Sequence, residues 1–363
     1  MKTLINFSAV TLLLITAFIN NQFAQSNEIN TSANFEVKEL AEDVYGIIRK
    51  DPPGLMCDGN SGFIITEEYV VVIDAPEASA EIIKAIKQIS EKPVKYVINT
   101  HWHDDHITGN KLYRDAYPGV EFIGHTSLRD YLPEQGLNNR KSMIEGAPGG
   151  LDYLKGLLAS NKGTDGTEIT EEERAAFASD IALVEHYLSF VPDVEIILPT
   201  ITFENKLTIS NSNHTIEILN IGSGHTMGDI VVHLPKENIL FSGDLIVFPI
   251  PLVGGEQSHV SEWSNALENL IVLKPMKIIP GHGPVLNDLS YVKKLIELYT
   301  SVTDQVRIVI ETGKTLEETR GLINLDKQRK IFAGHSKLKN FLFSMYVEGP
   351  AVTAAFRELS IKK

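Results

Sequence analysis

After about residue 35 the chain alternates apolar and polar positions in short bursts. FEVKEL, VYGIIR, SGFIITEE and YVVVIDA read as strands, with the turn residues PPG and DGN between them. In SAEIIKAIKQISEK the apolar spacing lengthens to three and four residues, which predicts an amphipathic helix. VKYVINT and VEFIGH return to the strand pattern. From about 127 to 193 the sequence is charged and helical, with expected interruptions at GAPGG and NKGTDGTE. Thr170 and Glu173 have capping-box spacing ahead of ERAAFASDIALVEHYLSF. Strands resume at ITFEN, LTIS, HTIEILNI, DIVVHL and NILFSG, followed by a helix around 263–273 and a last strand, MKIIP. Beyond about 290 the pattern is helical, with a second capping box at Thr315 and Glu318 behind a stop at Gly313. Hairpins and helices alternating in two halves predict a layered α/β sandwich with helices outside.

The segment ahead of this pattern is different. Lys2 precedes a short apolar run over 4–19 and then polar NNQFAQS, which predicts a signal peptide over residues 1–25 and an exported mature chain without a membrane anchor. The expected organisation is then a main domain over 26–290 carrying the helical insertion, and a helical extension over 291–363. A formal net charge of −14 disfavours nucleic acid and anionic membrane surfaces as partners and leaves a small-molecule substrate. The single cysteine, Cys57, cannot pair within the chain and reads as a small apolar residue of the interior. Nothing in the pattern fixes an oligomeric state.

Candidate chemistry collects at the ends of the apolar strands. VKYVI runs into NTHWHDDH, which offers His101, His103, Asp105 and His106. HTIEILNI runs into GSGHTMGD with His225, NILFSGD ends in Asp244, and MKIIPGHG ends in His282. Four donors from one short loop cannot surround a single tetrahedral ion without strain, so two metals fit better. One would take His101, His103 and His225, the other Asp105, His106 and His282, with Asp244 between them. Three protein ligands per ion leave an open position, which is the catalytic and not the structural arrangement. Two Zn2+ are expected; an all-nitrogen-and-oxygen donor set also accepts iron or manganese. Trp102, between two of these histidines, reads as a packing residue, and His125, His186, His214, His233 and His335 as ordinary surface or core residues.

HWHDDH resembles the H-x-H-x-D-H signature of the metallo-β-lactamase superfamily, and GHTMGD, SGD and PGHG resemble its later metal motifs, in the same order. The resemblance implies a four-layer αββα sandwich with a dinuclear site at the edge between two sheets. It also implies that Asp74, at the end of YVVVID, orients the metal loop, and that Asp229 does the same for His225. For Asp74, residue type alone fits a solvated turn equally well. The loop that holds His259 would reach the substrate, although an ordinary loop histidine is the simpler reading.

The implied reaction is attack on a lactam, lactone, ester or thioester carbonyl by a hydroxide shared between two metals, with Asp105 taking the proton. Asp244 stands where the best-known β-lactamase branches carry cysteine, as it does in thioesterase and lactonase branches. A true β-lactamase, and a binding protein that keeps the fold without turnover, are the alternatives. The insertion and the C-terminal helices are expected to cover the cleft and select the substrate.

Overall fold

The computed structural model describes residues 34–254 and 257–361, so the expected signal peptide lies outside the described residues. Seven strands form the first sheet in sequence order: β1 (Phe35–Ala41), β2 (Val44–Arg49), β3 (Ser61–Ile65), β4 (Val70–Ile73), β5 (Val94–Ile98), β6 (Glu121–His125) and β7 (Ile201–Phe203). The first four pair antiparallel and β4 to β7 run parallel. A parallel step needs a crossover, and α1 (Ser79–Ile89) supplies it between β4 and β5. Its Ile82, Ile83, Ala85 and Ile86 fall on one buried face, with Glu81 in the first turn and Lys87 in the last, where each charge complements the helix dipole. The short helices α2 (Asp104–Ile107) and α3 (Asn110–Ala116) follow β5.

The second sheet has the order β12-β11-β10-β9-β8, from β8 (Lys206–Ser210), β9 (Thr215–Leu219), β10 (Val231–Leu234), β11 (Ile239–Val247) and β12 (Lys277–His282). Period-2 alternation gives each sheet two apolar faces. Ile64, Val71, Ile98 and Ile123 of the first sheet meet Ile218, Val232, Phe241 and Ile279 of the second in one buried cluster. Phe63, Val72, Val97 and Phe122 point the other way, onto Ile82 and Ile86 of α1 and Tyr113 of α3. The outer face of the second sheet, with Val231, Leu240 and Leu245, is covered by α7 (Val260–Val272) and α8 (Ser290–Glu311). These are the four layers, helix–sheet–sheet–helix, that the resemblance implied.

The inserted region folds as α4 (Thr126–Tyr131), a π turn (Leu132–Gly136), α5 (Leu137–Ser160) and α6 (Glu171–Phe190). Both capping boxes form: Thr170 and Thr315 each accept from the backbone of the glutamate three residues on, and that glutamate accepts in return. GAPGG does not break the helix as expected. α5 runs through it with Pro148 inside. The glycines and the proline weaken the helix locally, but tertiary contacts fix both of its ends. Arg140 is buried near one end, and near the other Leu154 packs with Ala176 and Phe177 of α6. That apolar cluster continues into α9 (Leu316–Arg320), α10 (Asp326–Phe332), α11 (Lys337–Phe343) and α12 (Gly349–Ile361), so the insertion and the C-terminal helices share a core. Among the described residues no helix is long and apolar enough to cross a membrane.

Candidate metal centre

All seven strand-end donors come together. The ligand atoms of His101, His103, His225 and Asp244 lie within 4.8 Å of one another, and so do those of Asp105, His106, Asp244 and His282. The grouping is the one expected, and Asp244 belongs to both sets. Its Oδ2 lies 3.4 Å from His225 Nε2 and 3.9 Å from His101 Nε2, while Oδ1 lies 3.3 Å from His106 Nε2 and 3.4 Å from His282 Nε2. Asp105 Oδ2 completes the second set, 3.3 Å from His106 Nε2 and 3.1 Å from His282 Nε2. A glycine precedes His282 for a steric reason: a Cβ at Gly281 would stand 1.8 Å from Asp244 Oδ1.

Each histidine shows one nitrogen to the centre, and for four of them the other nitrogen is held. Asp74 is buried, not solvated, and sits at a φ of 57°. Its Oδ1 accepts from the Thr100 amide (2.8 Å), and its Oδ2 accepts from Thr100 Oγ1 (2.8 Å) and from His106 Nδ1 (2.9 Å). Since the Thr100 hydroxyl donates to Asp74, it accepts from His101 Nδ1 at 3.1 Å, which leaves the His101 Nε2 lone pair facing the centre. Gln257 Oε1 lies 3.1 Å from His103 Nε2. Leu252 O lies 3.0 Å from His225 Nδ1. Asp229 acts on the loop that carries His225 and not on its ring. It accepts from the amides of Gly224 and Thr226 and from the Thr226 hydroxyl, and so shapes the loop that carries His225. Such partners fix tautomer and ring direction at metal-binding histidines.

The electrostatics of the two sets differ. Burial, reinforced by neighbouring imidazoles, holds His101 well below its ordinary pKa, and burial brings His225 down to about 3 and lowers His103. Three neutral rings therefore bring nitrogen lone pairs to within 2.8 Å (His225 to His103) and 3.1 Å (His101 to His103). On the other side burial opposes charge, yet it is outweighed. Asp105, Asp244 and Asp74 hold His106 well above the usual range, and contacts with Cys57, Asp244 and Asp105 do the same for His282. The donor set fits cations. Zinc–nitrogen bonds of about 2.0–2.1 Å at tetrahedral angles place ligand nitrogens about 3.3 Å apart, close to the spacing of the three neutral rings. In the second set, the carboxylates that raise His106 and His282 favour positive charge at the same place, the charge a bound cation would supply.

Other positions correct the sequence reading. Cys57 is half-buried beside the centre, its Sγ 4.0 Å from His282 Nε2, and is not a plain core residue. Trp102 does pack as expected, with Ile107, Leu128 and Leu132. It also borders a cavity of about 390 Å³, lined by Tyr131, Met227, Gln257, His259, Arg357 and Ile361 among others. His259 thus faces a cavity that shares Gln257 with the His103 side of the centre, and its backbone amide donates to Gly224 O at 2.7 Å. Gln257, Thr100 and Leu252 went unnoticed in the sequence. Only Thr100, one residue from His101, had any local signal.

A two-sheet sandwich with paired three-histidine and Asp-His-His sets at one sheet edge, joined by an aspartate, defines a metal-dependent hydrolase. The sequence model described as "Metallo-beta-lactamase superfamily" matches residues 55–282, and the chain belongs to that superfamily. Among curated relatives it is 23% identical over 240 residues to the "Linear primary-alkylsulfatase" of a Pseudomonas species, covering 64% of this chain but only 42% of that protein. It is 21% identical over 306 residues to the "Beta-lactamase-like protein 2 homolog" of Caenorhabditis elegans, covering 82% of this chain and 79% of the relative. Among solved structures, a metallo-beta-lactamase from Pontibacter korlensis superposes with a TM-score of 0.52 at 20% identity, over 73% of this chain and 99% of the other; the likeness is one of fold.

Proposed function

We propose that this chain is an exported dinuclear metal-dependent hydrolase that cleaves a carbonyl substrate of the lactone, ester or thioester kind. The observation that carries the reading is the Asp244 carboxylate, which turns one oxygen to each donor set. His101, His103 and His225 would hold one ion, and Asp105, His106 and His282 the other. Two Zn2+ bound there would supply an activated water and charge stabilisation at the carbonyl oxygen. Asp105 has the most exposed side chain of its set, 24% against 7% or less for His106, Asp244 and His282, so it faces arriving substrate and is placed to take up a proton. Asp74 and Thr100 keep His106 and His101 in the tautomers that present lone pairs. The cavity beside Gln257 receives the substrate's remote part: Trp102, Tyr131, Met227 and Ile361 offer apolar surface, His259 an imidazole and Arg357 a cationic group for a carboxylate, with Glu262 and Glu358 in the same lining.

Asp244 favours this reading over a β-lactamase because a hard oxygen, not a soft thiolate, joins the two sets. Metal-quantified protein should be assayed on a lactone, a thioester, nitrocefin and a linear alkyl sulfate. Turnover of lactone or thioester well above the other two is expected. Preference for nitrocefin or the alkyl sulfate overturns the substrate class, and a metal-loaded protein inert to all four supports a binding role instead. Export rests on the pattern of Lys2 and the apolar run over 4–19; N-terminal sequencing of protein recovered from expressing cells should find a start near residue 26.

A further inference from the structure

The metal-loop residue Asp104 is not among the donors, yet its side chain is held by an arginine and a tyrosine of the insertion, both buried. Arg140, from the first turn of α5, reaches it with both arms of the guanidinium: Nε to Oδ2 at 2.9 Å and Nη2 to Oδ1 at 2.7 Å. The Tyr187 hydroxyl, from the last turn of α6, donates to the same Oδ2 at 2.6 Å. Arg140 Nη1 meanwhile donates to the Val194 carbonyl at 2.8 Å, tying the chain that leaves α6 into the same knot. Arg140 is 6% exposed and Tyr187 3%. A buried, forked guanidinium–carboxylate pair with a third donor is geometrically demanding, and a lone surface ion pair is not. The arginine and tyrosine lie far from Asp104 in sequence, by 36 and 83 residues.

Asp104 opens α2, the single turn that also holds Asp105 and His106. Its neighbour on the other side is His103. Whatever fixes the Asp104 side chain therefore fixes the direction in which Asp105 leaves the backbone. We propose that the insertion is a clamp on the metal loop, with Arg140 and Tyr187 as positioning residues that act through Asp104 to hold Asp105 and His106 in register with His282. This differs from a lid that merely covers the cleft. It also gives a reason for a helix that persists through GAPGG: α5 spans from the Asp104 contact at one end to the shared apolar core at the other. The inference rests on the reading of the His–Asp cluster as a metal centre.

The test uses the full chain with Tyr187→Phe, Arg140→Lys and, as control, Lys155→Ala. Lys155 pairs with Glu185 at 2.7 Å between the same two helices, on their exposed side. Two quantities are read: metal bound per chain during titration with a competing chelator, and the melting temperature of the metal-free proteins. Tyr187→Phe removes one hydroxyl from a buried site and should lower the affinity of one of the two ions about tenfold or more, as disturbed outer-shell partners do. Arg140→Lys keeps the charge, loses the fork, and should do the same or worse. Lys155→Ala should bind as the parent does. If Tyr187→Phe and Arg140→Lys lose melting temperature but hold both ions as tightly as the parent, the helices are scaffold and the clamp is refuted. Should Arg140→Lys fail to fold, Tyr187→Phe alone decides. A parent that binds no metal would defeat the metal reading itself, which separates the two failures.

Discussion

Asp74→Asn changes one atom and reverses one hydrogen-bond polarity. Asparagine tolerates the φ of 57° that Asp74 adopts, whereas alanine there would add a left-handed backbone cost of roughly 1–2 kcal/mol unrelated to the site. In the native site the carboxylate accepts three hydrogen bonds, from the Thr100 amide, the Thr100 hydroxyl and His106 Nδ1. The amide cannot reproduce them in either orientation. With its oxygen on the Thr100 amide, its NH2 faces His106 Nδ1 and drives the imidazole proton onto Nε2, the nitrogen that faces the centre. It also takes over as donor to Thr100 Oγ1, which removes the constraint on His101. With the amide reversed, NH2 opposes the Thr100 N–H and leaves a buried donor unsatisfied, at about 1–3 kcal/mol. A penalty of that size equals roughly a 5- to 150-fold loss in binding, in line with the 10- to 100-fold typical of outer-shell carboxylates. Because Asp74 governs a histidine of each set, both ions should weaken together. Elemental analysis during chelator competition measures this directly. If Asp74→Asn holds both metals with parental affinity, the tautomer argument fails and Asp74 is only a turn residue.

Other outcomes follow from the same geometry. The parent should hold two metal ions per chain, both removable by chelator with full loss of turnover; one tight ion with activity indifferent to the second contradicts the paired sets. Asp244→Ala should release or loosen one ion and reduce turnover by a factor of about 100 or more, while Asp244→Cys should keep two zincs but lower ester and thioester turnover; normal rates in the alanine variant would remove the argument against a β-lactamase. Phe177→Ala empties a fully buried site between α6 and the C-terminal helices. It should cost about 3–5 kcal/mol in urea denaturation without changing metal stoichiometry; an unchanged midpoint would show that the two helical regions do not share a core. Arg357→Ala should raise KM for carboxylate-bearing substrates and leave neutral ones unaffected, and equal effects on both would remove the cavity from substrate binding.

The donors were legible because their signals are local. His101, His103, Asp105, His106 and His225 follow apolar strands, Asp244 and His282 lie in the C-terminal halves of β11 and β12, and the last three of the seven stand beside glycine; strand ends are where such folds gather their chemistry. Both capping boxes were legible for the same reason. Gln257, Leu252 and Tyr187 were not, since each acts across a long loop closure: Gln257 meets His103 over 154 residues, Leu252 meets His225 over 27 and Tyr187 meets Asp104 over 83. No local pattern of residue types encodes which distant side chain will arrive. Asp229 shows an intermediate case: its place in the His225 loop was legible, whereas the backbone amides through which it acts were not. GAPGG shows the reverse error. Local propensity argued for a break, and anchoring at both ends of α5 prevailed.

The donors are divided between the two sheets: His101, His103, Asp105 and His106 follow β5 of the first, and His225, Asp244 and His282 belong to the second. Any ion held by either set is therefore a cross-tie between two halves of the chain that otherwise meet mainly through apolar contact. Ligation adds to folding stability by mass action, about 4 kcal/mol when free metal exceeds its dissociation constant a thousandfold. Until an ion is bound the cross-tie is missing, and the seam between the sheets is held mainly by those apolar contacts. Metal supply would then decide how long newly made chains stay vulnerable to proteases along that seam.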